Sequence, residues 1–381
     1  TLTLSCLRSS PASMSLEPKK LHPETLHQLY QSLLAPVEPL LADTHTVFVV
    51  ADGALYNLPL ELLLRRYDAA EAEQFKRLAA RRLRPLGGYY AALDYVDQAA
   101  YRLHYLPSLA TLVAQRQDAK PPVAPTRDLI AFADPIFTAP ETPPLATAQR
   151  PRGGAPTETA PLDPYTRSGA WRGGALDRLP ATAEEVNAIA HLFPTARIFP
   201  PYLAHYAQER TVKALSQAGA LQGLRYLYFS THGLLGGELL QYAPDRLTPD
   251  LIAQPALALT LTGEPPPNND GFLTLSDVLG LNLNTDWAIL SACNTAGERA
   301  SRGEGFIGLT RAFLYAGARR LLVSHWYVES GATRDLMVRT FTQAHATGDL
   351  ATGLRHARRA LRAQPDTAHP YFWAPFVVVG D

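Results

Sequence analysis

Short apolar runs alternate along the chain with stretches in which apolar positions recur at helical spacing. In the first part, VFVVADG (Val47 to Gly53), YRLHYLP (Tyr101 to Pro107) and DLIAFADP (Asp128 to Pro135) predict strands, the first and third closed by Asp-Gly and Asp-Pro turns. LHPETLHQLYQSLLAPVEPLL places Leu26, Leu29, Leu33 and Leu34 on one helical face before Pro36 and Pro39 disturb it. The charged, alanine-rich stretch from Ala69 to Arg84 predicts a solvent-facing helix. From Leu179 the alternation becomes regular. LPATAEEVNAIAHLF carries Thr182 and Glu185 at the T-x-x-E spacing of a capping box, with Val186, Ile189, Ala190 and Phe193 as its buried stripe. After it, ARIFP reads as a strand, RTVKALSQAG as a helix, RYLYFSTHG (Arg225 to Gly233) as a strand, LTLSDVLGL as a helix and WAILSAC (Trp287 to Cys293) as a strand. GEGFIGLTRAFLYAGA then predicts a helix with Phe306, Leu309, Phe313 and Leu314 on one face, and RRLLVSHW (Arg319 to Trp326) a strand. ATRDLMVRTFTQAHATG and DLATGLRHARRALRAQ predict helices, and WAPFVVVG (Trp373 to Gly380) a closing strand. This is the pattern of an α/β fold with a mainly parallel sheet covered on both faces, and such sheets carry their sites outside the carboxyl ends of the strands.

Two segments interrupt the pattern. Residues 1–25 read as a linker, and residues 138–178, rich in Pro, Gly, Thr and Ala, read as a flexible loop or protease-sensitive linker with too few apolar anchors to offset ordering entropy. The expected organisation is a lobe over 26–125 without a chemical cluster, followed by a larger domain over 126–381. With 381 residues, 35 Lys+Arg against 35 Asp+Glu and 46% hydrophobic residues, the chain has a globular composition and no global field to steer nucleic acid or an anionic membrane. No apolar run approaches a membrane span, and TLTLSCLRSSPAS lacks the parts of a signal peptide, so a cytoplasmic location is expected. The start at Thr1, with the first methionine at Met14, reads as a piece of something longer.

Two cysteines, Cys6 and Cys293, make no disulfide framework, and neither CxxC nor HExxH accompanies them, so neither metal nor cofactor is expected. The chemistry gathers at two strand ends: YLYFSTHG delivers His232 and AILSAC delivers Cys293. In a parallel sheet both ends lie on one edge, and adjacent strands are about 4.8 Å apart, so thiol and imidazole can work on one substrate. Gly233 after His232 and the small residues after Cys293 leave backbone N–H groups available to an oxyanion. Taken singly, such a Cys is usually a buried small hydrophobe and such a His a satisfied polar residue; their pairing is what points to catalysis.

Other motifs read as structural. Gly303 to Gly308 fits G-x-G-x-x-G, with Glu329 further on, but the first glycine does not directly follow the strand, as a dinucleotide site requires. No P-loop occurs. Arg355, Arg358, Arg359 and Arg362 read as a solvated basic helix face, with nucleic acid or an acidic partner as the alternative, so nucleic acid is not directly implied.

LPATAEEV, YLYFSTHG, DGFLTLSDVLGLNL, WAILSACNTAG, GEGFIGLTRAFLYAGARRLLVSHW and HPYFWAPFVVVGD stand in the order of the CHAT domain, and from about Leu179 to Asp381 the chain resembles that caspase-like peptidase domain, which accompanies tetratricopeptide repeats. Weaker pieces, among them VVADGALYNLPLELLL and IAFADP, extend the resemblance upstream. It implies a caspase-like three-layer α/β/α sandwich, preceded by an N-terminal supporting lobe that lacks its own dyad. His232 and Cys293 would be the catalytic dyad, and the backbone at Gly233 and Cys293 the oxyanion site. Asp134, Ser230 and Ser291 fall at places that line the pocket for the residue before the scissile bond in related peptidases; Asp134 would favour a basic side chain, while the two serines give a neutral rim. Glu298 and Arg302 read either as part of an adjustable loop or as solvated charges. In SHWYV, His325 and Tyr327 replace the family's usual apolar residue and proline. The resemblance also implies a protein substrate and a tetratricopeptide-repeat or other sensor module as partner, often in prokaryotic defence or cell death. A caspase-like scaffold with an idle dyad is the alternative.

Overall fold

The computed structural model describes residues 22–52, 55, 58–80, 87–117, 124–137, 176–237, 250, 253–261, 269–293, 304–326 and 330–381. Its strands and α-helices run in the order α1 (Pro23–Leu33), β1 (Thr46–Val49), α2 (Ala69–Ala80), α3 (Gly87–Ala92), β2 (Arg102–Tyr105), α4 (Leu109–Gln117) and β3 (Arg127–Ala133). There follow α5 (Pro180–Ala190), β4 (Tyr202–Leu203), α6 (Glu209–Gln217), β5 (Gln222–Leu234), β6 (Ala256–Ala258), β7 (Phe272–Thr274), α7 (Leu275–Leu279) and β8 (Asn284–Cys293). The chain closes with α8 (Glu304–Ala316), β9 (Ala318–Ser324), α9 (Ser330–Thr347), α10 (Leu350–Arg362), α11 (Pro370–Trp373) and β10 (Phe376–Gly380).

The strands form one 10-stranded sheet in the order β1-β2-β10-β9-β8-β5-β3-β4, with β6 and β7 attached beside the end of β5. Its centre is parallel, as the apolar runs predict, and it is covered on both faces. Consecutive residues of β5 show this: Tyr228 meets Phe341 of α9 at 5.7 Å, and Phe229, pointing the other way, meets Phe313 of α8 at 6.0 Å. A strand buried on both faces needs apolar residues at nearly every position, which is why β5 and β8 carry little alternation.

The closing strand departs from the parallel pattern, for β10 runs antiparallel to β9. The chain leaves β9 through two helices joined by Gly348 and Asp349, and a helical hairpin returns the chain with its direction reversed. Gly353 lets these helices touch: a Cβ there would lie 2.3 Å from the carbonyl oxygen of Thr340. On its other side β10 pairs in parallel with β2, which pairs with β1, so the first third of the chain extends this same sheet. The main apolar core runs without a break from Leu26 to Val379.

Three local expectations need correction. ARIFP forms a 3-10 turn and a single bridge from Ile198 to Leu129, with the strand beginning at Tyr202. LTLSDVLGL is divided between β7 and α7, because Thr274 caps the helix by accepting the Asp277 N–H. The basic face of α10 is solvated only in part: Arg359 is exposed and Arg355 half-buried. Arg358 and Arg362 are buried, and both donate to the buried Asp97 (3.0 and 3.3 Å); Arg358 also reaches Glu61 at 3.4 Å. These acidic partners come from the part of the chain in which the sequence shows no chemical cluster. Among the described residues no helix is long and apolar enough to cross a membrane.

Candidate active site

The carboxyl ends of β3, β5 and β8 lie side by side. Ala133 is in register with Ser230, Ser230 with Ser291, and His232 with Cys293. Parallel pairing makes this edge common to all three strands, so the backbones of the predicted dyad residues are direct neighbours, about 4.8 Å apart. Glu298 and Arg302 lie outside the described residues, as do Tyr327 and residues 138–175 of the Pro-rich segment.

His232 is buried, with 4% of its surface exposed, beside the Phe137 ring at 5.5 Å. Its Nε2 lies 2.6 Å from the backbone carbonyl of Asp177. A carbonyl can only accept, so this nitrogen carries the proton. Burial lowers the pKa of the ring, against the raising effects of that hydrogen bond and the Asp177 charge. The ring is therefore neutral near pH 7 and its Nδ1 holds the free lone pair, which is the form a general base needs. Gly233, the expected oxyanion donor beside Cys293, sits opposite Leu257 in the β5–β6 ladder.

The segment that orients His232 is the tail of the stretch expected to be a flexible loop. Leu176 packs into a small apolar cluster with Leu234, Ala256, Ala258 and Phe272. Asp177 supplies the carbonyl. Arg178 forks onto Asp134, with Nε and Nη2 donating to its two carboxylate oxygens at 2.9 and 2.7 Å. Asp134 has a φ of 49°, and its N–H donates to the Thr182 hydroxyl at 2.8 Å. The Asp134 carboxylate, expected to be open to a basic substrate side chain, is thus occupied by the chain's own guanidinium. Asp134 is 6% exposed against 52% for Arg178, so the cation is the partner that solvent reaches.

The two serines are buried as well, and do not form an open rim. Ser230 donates to Glu185 Oε1 at 2.8 Å and Tyr228 to the same atom at 2.6 Å, and the hydroxyl of Ser291, the register partner of Ser230, acts on the same carboxyl from β8. Glu185 does not close the predicted capping box. Helix α5 starts at Pro180 with Leu179 as its N-cap and no side-chain cap, and the Thr182 hydroxyl instead donates to the Leu179 carbonyl at 2.7 Å. Freed from capping, Glu185 turns toward the sheet with 2% exposure, and burial raises its pKa to about 7. Sequence reasoning missed Asp177, Arg178 and Glu185. The usable signal was a serine two residues before each member of the dyad, on the same face, which calls for a polar partner from the covering helix. Among the described residues no group of three or more His, Cys, Asp or Glu side chains is placed to hold a metal ion.

An α/β sheet covered by helices, pairing a histidine with a cysteine at its carboxyl edge, is the class of domain these observations define. The chain belongs to the CHAT domain family, whose model it matches over residues 23–381. It is similar to tetratricopeptide repeat protein 28 of Homo sapiens and of Mus musculus, 27% identical to each over 226 residues, covering 53% of this chain and 8% of each relative. The chain thus spans a small part of the curated relatives it matches. Two solved structures also resemble it. One is titled Structure of Protease (TM-score 0.48, 12% identity, 94% of this chain and 67% of the other). The other is the Arg-specific cysteine proteinase gingipain R (TM-score 0.44, 9% identity, 97% and 68%).

Proposed function

We propose that the domain is a cysteine endopeptidase that hydrolyses a protein substrate with His232 and Cys293. The observation that carries this reading is the register pair His232 and Cys293, with the imidazole held in its neutral, Nε2-protonated form. Nδ1 takes the thiol proton, and the sulfur attacks the peptide carbonyl carbon. The backbone N–H groups of Gly233 and Cys293 receive the oxyanion. His232 then gives its proton to the leaving amine, and the C–N bond breaks to leave a thioester on Cys293. Water, deprotonated by the same nitrogen, splits the thioester into a carboxylic acid and the free thiol. No metal or organic cofactor takes part in this scheme. Membership of the CHAT family supports it, and likeness to a tetratricopeptide-repeat protein supports regulation by an attached or bound sensor module, as in prokaryotic defence or cell death.

The 4% exposure of His232 favours a second reading, in which the domain is a caspase-like scaffold with its dyad idle until a partner opens the edge. Digestion of a peptide library, with circular dichroism as the folding control, separates the two. The peptidase reading expects cleavage that is lost in folded Cys293→Ala and His232→Ala. Cleavage retained in either variant refutes the dyad, and folded wild type without cleavage, alone or with a repeat partner, supports the scaffold.

A further inference from the structure

Glu185 has no place in the hydrolytic scheme, yet it is a buried acid whose hydroxyl partner Ser230 stands two residues before His232. Ser230 and Ser291 are register partners, two residues before His232 and Cys293, and alternation puts each serine on the face of its dyad neighbour. One carboxyl from α5 accepts from the hydroxyls of Ser230 and Tyr228 on β5, and Ser291, the register partner of Ser230, brings its hydroxyl to the same carboxyl from β8. A rise of about 3.3 Å per residue places this tie roughly 7 Å below the reacting groups. Arg334, on α9, is the cation that acts on Glu185 through space, and its guanidinium is engaged by the exposed Glu184. The acid is therefore held by the β5 hydroxyls, with Ser291 of β8 beside it, and by no direct ion pair among the described residues.

A carboxyl is costly to bury, and an apolar side chain would fill the same space without that cost. What it adds is acceptor capacity: the carbonyl oxygen of the protonated acid already accepts two hydroxyls, and both oxygens accept once it ionises. We propose that Glu185 is a positioning residue for the dyad, tying β5 to β8 through Ser230 and Ser291 and so fixing the alignment at which imidazole and thiol meet. The proposal deepens the peptidase reading and rests on it, because it concerns communication between His232 and Cys293. It assigns Glu185 no contact with substrate.

Alkylation of the full chain by iodoacetamide across pH 5–10, read by peptide mass spectrometry, tests this without a substrate. Cys6 serves as the internal reference. In the wild type, Cys293 should react with a pH midpoint below the roughly 8.5 of an isolated thiol, and His232→Ala should abolish that advantage. Glu185→Ala should slow Cys293 at pH 7 about tenfold and move its midpoint toward that of Cys6. Glu185→Gln, which keeps an acceptor oxygen, should recover part of the loss, and adding Glu185→Ala to His232→Ala should have no further effect. Ser291→Ala, a milder change that tests the tie should Glu185→Ala fail to fold, should slow Cys293 about threefold. Unchanged Cys293 reactivity in Glu185→Ala, or in Ser291→Ala where the former does not fold, overturns the positioning role while a His232-dependent midpoint keeps the dyad. A wild-type midpoint that does not depend on His232 overturns both.

Discussion

Replacing Asp97 by alanine removes the carboxylate that receives both Arg358 and Arg362 and ties α10 to the first third of the chain. The side chains of Asp97, Arg358 and Arg362 are 1%, 5% and 7% exposed, so solvent cannot take over the missing interaction. Breaking a buried pair by removing one partner costs about 3–5 kcal/mol, because the remaining charge stays desolvated. Glu61, 3.4 Å from Arg358, offsets part of this, which places the expected loss near 3 kcal/mol, a large share of the 5–15 typical of a whole domain. Urea unfolding followed by tryptophan fluorescence reads it, and Trp373, whose ring lies 5.6 Å from the Arg362 guanidinium carbon, gives a local reporter. Combining Asp97→Ala with Arg358→Met should cost less than the sum of the single changes by about 1 kcal/mol or more. A loss below about 1 kcal/mol for Asp97→Ala alone would refute the view that this network clamps the two parts of the sheet.

The buried acid and the orienting carbonyl give further expectations. Glu185 holds its proton up to about pH 7 in the fold and, unfolded, only to about 4.3, so its contribution to stability is complete below the lower value and is lost as pH rises through the upper one. Between pH 5 and 8 the stability of the wild type relative to Glu185→Gln should therefore fall by about 3 kcal/mol, and a pH-independent difference would contradict the burial argument. His325 shows the opposite sign. Burial, helped by the Arg358 charge, lowers its pKa to about 3, so it adds stability above pH 6.5 that drains away on acidification; His325→Phe should flatten the acid limb of the urea-stability profile, and an unchanged limb would count against it. Because His232 is oriented by the main-chain carbonyl of Asp177, Asp177→Ala should keep peptide hydrolysis within about threefold, and a loss of about 10⁴, as when a triad aspartate is changed, would show that the side chain is the orienting group.

Much of the fold was legible because burial on both faces leaves a plain mark. The apolar runs ending in His232 and Cys293 declared themselves as strands, and parallel topology alone predicted one shared edge. What stayed hidden depends on partners distant in sequence. Arg358 and Arg362 have the spacing of an exposed basic stripe, and only the fold brings Asp97 and Glu61 to them from the other end of the chain. Glu185 satisfies the T-x-x-E rule in spacing, but Thr182 is drawn to Asp134 and Leu179 and the acid to the strand hydroxyls, so a local rule lost to tertiary hydrogen bonds. Leu176, Asp177 and Arg178 lie at the end of a Pro-rich stretch whose composition masks a short anchored tail. The direction of β10 carries no local mark, since it is set by the α9–α10 hairpin that returns the chain antiparallel to β9.

The most direct measurement is a search for the acyl intermediate. The full chain is mixed with a diverse peptide pool, quenched in acid within the first turnovers and mapped by mass spectrometry. A thioester is expected on the fragment that carries Cys293, absent from His232→Ala and never on Cys6. Steady cleavage with no adduct on Cys293, or an adduct that forms as readily without the imidazole, would contradict it.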